Sequence, residues 1–348
     1  MITAKPTSSP NQGIPPQVMM LQMANAYRTS QAIHVAAKLG IADHLISGPQ
    51  NIQVLAEATQ TEPRSLYRLL RALASMGIFA ETETGEFELT PRAETLITSA
   101  PNSLRDYAIV IGEDWHWQMW DDVLYSVKTG LPAFDHQHQM PFEEYYQNNP
   151  AIAAQFDRSM VSLLDNVDSS VFAGYDFSLF NTVVEVGIPG NYGKLMAQLL
   201  QVNPHQSGII VDAESGLNAC KTYLKQQGVI DRCQFISGDA FQPMPKGDVY
   251  ILKNLIHDLN DDRAQEVLKQ CCTAMNHDAT VLLVEMLVPP SNEPALSKIV
   301  DMEALIMSTG GYERTEAQYQ VLLASVGLTV SHVIPTRSPF SIIEAVRT

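Results

Sequence analysis

The sequence has no run of about 18 uncharged apolar residues, so nothing in it reads as a membrane-crossing helix. It also lacks the basic-then-apolar start that directs secretion. Cysteine is scarce: 348 residues hold four, Cys220, Cys233, Cys271 and Cys272, none in C-x-x-C spacing, which points to reduced thiols in a cytoplasmic setting. Positive charge is short as well, with 22 Lys and Arg against 38 Asp and Glu. The resulting net charge of −16 argues against nucleic acid or an anionic membrane as partner. His136 and His138 form an H-x-H without a third ligand nearby in sequence. They read as solvated loop histidines, and no metal is expected. No internal repeat is apparent.

What is present is an ordinary globular composition, 45% hydrophobic and 17% charged, long enough for two domains with real cores. Residues 1–16 are rich in Pro, Ser, Thr and Gln and read as a mobile tail. From Gln17 to Gly40 a methionine- and alanine-rich helix carries too many apolar positions for one face. A partner subunit or the chain's own core could cover the second face. Helices over 51–58 and 62–76, then strands around Gly85, predict a winged helix. Glu81, Glu83, Glu86 and Glu88 line the wing, so the unit reads as structural or dimer-forming rather than DNA-binding. Residues 104–180 are helical and concentrate aromatics, from Trp115 to Phe156, as pockets for flat ligands and ordinary helical cores both do.

Thr182–Asp212 organises the second half. Val183, Val184 and Val186 suit a buried parallel strand. Gly187, Gly190 and Gly193 punctuate a turn, a helix follows, and a second apolar run ends on Asp212. This is the start of a nucleotide-binding β-α-β unit, in which a terminal carboxylate accepts hydrogen bonds from ribose hydroxyls. G-x-x-G-x-x-G is neither the dinucleotide fingerprint nor a Walker loop, and Pro189 removes a donor. A cofactor without phosphates therefore fits better. Further strands are expected at 208–212, 233–236, 248–252, 280–286, 327–334 and 340–346, giving a doubly wound α/β domain. Its strand ends carry Glu185, Asp212, Asp239, Lys253, His257, Asp258 and Glu285. A histidine flanked by carboxylates is how a general base is built.

The segments SGDAF (237–241), DVYILKNLIHDLNDD (248–262), LLVEMLVPP (282–290) and GGYERT (310–315) resemble the S-adenosylmethionine-dependent small-molecule O-methyltransferases of the caffeate and hydroxyindole type. The resemblance covers nearly the whole chain. It implies a Rossmann-like methyltransferase domain (181–348), a helical connector lining the substrate pocket (104–180) and an N-terminal winged-helix dimerisation domain (17–103). It further implies His257 as base with Glu285 and Glu313 beside it. Glu185, Gly187, Asp212, Asp239, Ala240 and Lys253 would hold S-adenosylmethionine, and Phe156, Met160, Trp115 and Asp258 would contact a small aromatic acceptor. Asp301 also matches, without a role that chemistry supplies. A homodimer is implied, and activity should fall below about pH 6.5, where a free histidine protonates. The longer Gly187–Gly193 turn motivates an alternative, an enzyme of this fold that has exchanged methyl transfer for isomerisation, cyclisation or decarboxylation. A ligand-sensing winged-helix regulator is a more distant one.

Overall fold

The computed structural model describes residues 14–101, 103–187 and 192–348. Most of the expected tail and the middle of the glycine turn, 188–191, lie outside them. The chain forms two compact units that part between Gly112 and Glu113.

In the first unit the methionine-rich stretch is two helices, Pro16–Ala24 and Ala26–Lys38, rather than one. The break is local: the Asn25 side chain donates to Leu21 O at 2.7 Å, competing with the backbone ladder. The first helix buries none of its residues, and Met20, Leu21 and Met23 are each more than 60% exposed. The second turns Ala36 and Ala37 into the core. Helices Ile52–Thr59 and Pro63–Ser75 follow, started by Asn51 and Glu62, whose side chains accept the first free N–H groups. Leu66, Leu70 and Leu73 are spaced to bury one face of the second. Strands β1 (Phe79–Glu81) and β2 (Phe87–Leu89) then pair antiparallel as the expected wing.

The second unit opens with helices that include Asp114–Asp121, Ala133–His138, Phe142–Asn148 and the long Pro150–Gly174. Seven strands follow: β3 (Thr182–Val186), β4 (Ser207–Asp212), β5 (Cys233–Ser237), β6 (Val249–Lys253), β7 (Thr280–Met286), β8 (Leu328–Pro335) and β9 (Phe340–Arg347). They lie in the order β5-β4-β3-β6-β7-β9-β8. The first five are parallel, and β9 enters antiparallel between β7 and β8. Side chains alternate between two core layers. Val183, Ile251 and Leu282 face one side with helices Pro150–Gly174 and Lys194–Val202. Val184, Leu252 and Leu283 face the other with helices Asp261–Ala274 and Glu316–Ala324. Because β4 and β5 lie on one side of β3 and β6 and β7 on the other, the strand order reverses between β3 and β6. The crevice of such a sheet opens there, at the carboxyl ends.

One expectation for the second unit is corrected. His136 and His138 are helical, not loop residues. His136 Nδ1 lies 2.6 Å from Asp122 and its ring stacks on Tyr125 at 4.0 Å. His138 Nε2 meets Trp115 O at 3.1 Å, with its ring packed between Phe134 and Tyr145. Long-range packing, which local polarity does not report, captured both rings. Among the described residues no helix is long and apolar enough to cross a membrane.

Candidate active site

Strand β6 ends on Lys253, and Asn254 adopts a left-handed φ of +52° that turns the chain sharply; its N–H donates to Val284 O at 2.9 Å. A single helical turn, Ile256–Asp258, then presents His257. Glu285, fully buried in β7, accepts the N–H groups of Leu255 at 3.1 Å and Ile256 at 2.8 Å through Oε1. Its Oε2 lies 3.7 Å from His257 Nδ1. Glu313 Oε1 takes that same Nδ1 at 2.9 Å. The imidazole's other nitrogen, Nε2, meets the exposed Asp258 at 3.2 Å. One carboxylate thus shapes the turn, a second fixes the ring, and a third caps its outward nitrogen.

The loop carrying Glu313 is tied down by residues without an expected role. Asp301 accepts the Glu313 N–H at 2.8 Å. Arg314, completely buried, donates to Ile256 O and Leu259 O at 2.8 Å each and to Asp261 at 2.8 Å, straddling the histidine turn. The Tyr312 N–H donates to His257 O at 2.7 Å. A Cβ on Gly311 would stand 2.9 Å from His257 O and 3.0 Å from Asp258 O, so only glycine lets the two loops approach. The signals for Arg314 and Gly311 lay in GGYERT itself, but their partners are non-local.

Electrostatics correct the simple pH expectation. Burial pulls the His257 proton affinity down, yet Asp258, Glu313 and Glu285 together outweigh it, and its pKa stands well above 6.5. Burial pushes Glu285 up to about 7, against the pull of His257 and with the push of Glu313. The three carboxylates thus favour the protonated imidazole, with Nδ1 facing Glu313 and Nε2 facing Asp258.

A second acidic corner lies at the end of β4. Asp212 is 6% exposed; its Oδ1 accepts the Ala213 N–H at 2.7 Å and its buried Oδ2 has no hydrogen-bond partner. Burial raises its pKa to about 6, with the charge of Asp157 adding to the shift. A Cβ on Gly187 would stand 2.4 Å from Oδ2, and one on Gly216 2.3 Å. Two glycines thus leave this carboxylate a narrow, bare approach, as a ribose-binding acid requires. Gly216 was not expected. Its signal is the third residue of a helix, Glu214–Gln226, that opens beside the acid.

The remaining expected residues divide. Glu185 is buried inside β3 and Ala240 in the core layer that also holds Val186. Asp239 is exposed, and its Oδ1 accepts the Phe241 N–H at 2.9 Å. Lys253 is buried and ion-paired with the buried Asp168 of the long helix. Its ammonium is thereby tied to the helix as well as placed at the strand end. Phe156 packs edge-on to Trp115 with ring centroids 6.3 Å apart, while Met160 sits against the first core layer.

Residues 120–329 match the model of the O-methyltransferase domain, and residues 21–99 that of the O-methyltransferase dimerisation domain. The chain belongs to the O-methyltransferase family. It is 38% identical to phenazine O-methyltransferase PhzM of Lysobacter antibioticus, over 95% of this chain and 96% of that protein. The solved structure of LaPhzM superposes with a TM-score of 0.89 at 37% identity, covering 96% of this chain and all (100%) of that one. An O-methyltransferase from neocarzinostatin biosynthesis, solved with S-adenosylmethionine and 2-hydroxy-5-methyl naphthoic acid, superposes with a TM-score of 0.76 at 28% identity, over 92% and 96%. The chain is a methyltransferase whose second unit is a mixed α/β sheet domain of that family's fold.

Proposed function

We propose that this methyltransferase uses S-adenosylmethionine to methylate a phenol-type hydroxyl on a flat, polycyclic aromatic acceptor, with His257 as general base. The observation that carries the reading is the His257 corner. Nδ1 is fixed by Glu313, so the outward Nε2 is the nitrogen offered to a substrate hydroxyl, which would displace the exposed Asp258. Asp212, with its bare Oδ2 between Gly187 and Gly216, fits a ribose diol, and Gly187 and Asp239 stand at the neighbouring strand ends. When bound, the cofactor supplies a sulfonium methyl as electrophile. The chain's own contribution is to accept the hydroxyl proton on Nε2 as the oxygen–carbon bond forms and the carbon–sulfur bond breaks. Holding those three atoms in line in a dry site supplies much of the rate, about 7–11 kcal/mol in well-oriented systems.

The acceptor class rests on the rings gathered around Trp115: Phe142 stacked at 6.2 Å, with Phe134 and Phe156 edge-on at 6.5 and 6.3 Å. The phenazine and naphthoate in the relatives' names are acceptors of this shape. The exposed Met20, Leu21 and Met23 support a homodimer built through the first unit. The test is direct. Calorimetry should show S-adenosylmethionine binding, and 1-hydroxyphenazine incubated with labelled cofactor should gain an O-methyl group. A protein that binds no cofactor at millimolar concentration sinks the reading and reopens non-methylating chemistry on this fold.

A further inference from the structure

Helix Asp114–Asp121 places two polar ring atoms in the interior without partners. Trp115 Nε1 and His116 Nδ1 are both buried and make no hydrogen bond, although the residues are only 6% and 7% exposed. Their rings meet edge to face with centroids 5.5 Å apart. The far side of His116 is locked, because Nε2 lies 2.6 Å from Glu303 Oε1 while the Trp120 N–H holds Glu303 Oε2 at 2.8 Å. A carboxylate on Nε2 sets the tautomer: the proton sits on Nε2, and Nδ1 presents a bare lone pair. One buried donor and one buried acceptor, on consecutive residues whose rings touch, are therefore left without partners. Each is destabilising if nothing ever satisfies it.

Glu303 shares the helix Ser297–Met307 with Asp301, which holds the Glu313 loop of the catalytic corner. Trp115 is also the centre of the aromatic box. We infer that Trp115 Nε1 and His116 Nδ1 form a second polar anchor for the acceptor, which must carry another hydroxyl, or an equivalent donor–acceptor group, away from the one that is methylated. A hydroxyl complements both atoms, donating to His116 Nδ1 and accepting from the Trp115 N–H. Glu303 is a positioning residue, acting only through the imidazole. The inference rests on the proposed methyl transfer to an aromatic hydroxyl and narrows it to polyhydroxylated or similarly substituted acceptors.

The experiment compares 1-hydroxyphenazine with 1,6-dihydroxyphenazine as acceptors for the wild type, His116→Phe, His116→Asn and Glu303→Gln, with cofactor affinity measured alongside. The wild type should prefer the dihydroxy compound by about tenfold in kcat/KM, the worth of one buried hydrogen bond. His116→Phe should erase that preference through KM, leaving kcat on the monohydroxy compound and cofactor affinity in place. His116→Asn, whose amide can still serve as partner, should recover part of it. Equal loss on both compounds, or a wild type without preference, overturns the anchor while leaving methyl transfer intact. A wild type that methylates neither compound removes the acceptor class beneath it, and the anchor with it. Should His116→Phe fail to fold, the same preference read in Glu303→Gln decides.

Discussion

Two acidic corners stand at the same edge of one sheet, and they differ in what their carboxylates face. Around His257 each buried glutamate has one oxygen answered and one, Glu285 Oε2 and Glu313 Oε2, without a hydrogen-bond partner. Glu285 Oε1 accepts two backbone N–H groups, Glu313 takes the imidazole, and Asp301 and Arg314 hold the loops that carry them. Around Asp212 one oxygen is answered and the other, though buried, is left bare. Both corners pay in raised carboxyl pKa values, about 7 for Glu285 and about 6 for Asp212. The difference is that the glutamates face an imidazole the protein itself supplies, whereas the bare oxygen of Asp212 faces two glycines.

Breaking the His257 corner should have the largest effect. His257→Ala should lower kcat/KM by about 10²- to 10⁴-fold, the span of general-base contributions, with S-adenosylmethionine affinity unchanged by calorimetry. Full activity in that variant would remove the base from the mechanism. Breaking the open corner should do the reverse. Asp212→Asn should weaken cofactor binding by about 10- to 100-fold, as loss of a hydrogen bond to a charged group does, while the ligand-free protein melts no lower. The sign follows from linkage: Asp212 titrates near 6 in the fold, above about 3.9 when unfolded. Its charge therefore opposes folding at neutral pH, and the neutral amide relieves that. A variant that both binds cofactor normally and melts much lower would show Asp212 to be structural.

The corners also separate by pH. Cofactor affinity should fall as pH drops through about 6, where Asp212 protonates, whereas kcat/KM should already be falling at a higher pH, because His257 must lose a proton held well above 6.5. Glu313→Gln removes one of the charges holding that proton. It should move the acid limb of kcat/KM toward 6.5, with the cofactor-binding limb unmoved. Coincident limbs in the wild type would erase the distinction.

How much of this could be read beforehand depended on the range of the forces involved. The parallel strands β3, β4, β6 and β7 were legible because strands buried on both faces are continuous apolar runs, and acids at the strand ends marked the edge where ligands bind. The insertion of β9 between β7 and β8 was not, since an apolar run says nothing about which neighbour it takes. Nor was the break at Asn25, where a single side-chain bond to Leu21 O outweighs a helical pattern. The raised proton affinity of His257 was not legible because only the folded chain brings Asp258, Glu285 and Glu313 around one ring. Asp301 was visible as a matching residue yet had no chemistry of its own, because its work is done on a backbone N–H supplied by a loop twelve residues on.

That bond provides the finest test of whether the His257 corner is rigid by design. Asp301 touches neither imidazole nor, on the proposed mechanism, acceptor; it fixes the backbone of Glu313, whose side chain fixes the ring. Asp301→Asn keeps an oxygen to accept that N–H and should stay within about twofold of the wild type, whereas Asp301→Ala leaves the N–H without its partner. A single hydrogen bond typically contributes about 0.5–1.5 kcal/mol, so the alanine variant should lose at least about three- to tenfold in kcat with KM for the cofactor unchanged. It should also broaden the His257 side-chain resonances in NMR, where the asparagine variant leaves them sharp. Equal losses in both variants would mean that the charge of Asp301 matters rather than its bond. The catalytic corner would then depend, like the open one, on a field more than on a fitted scaffold.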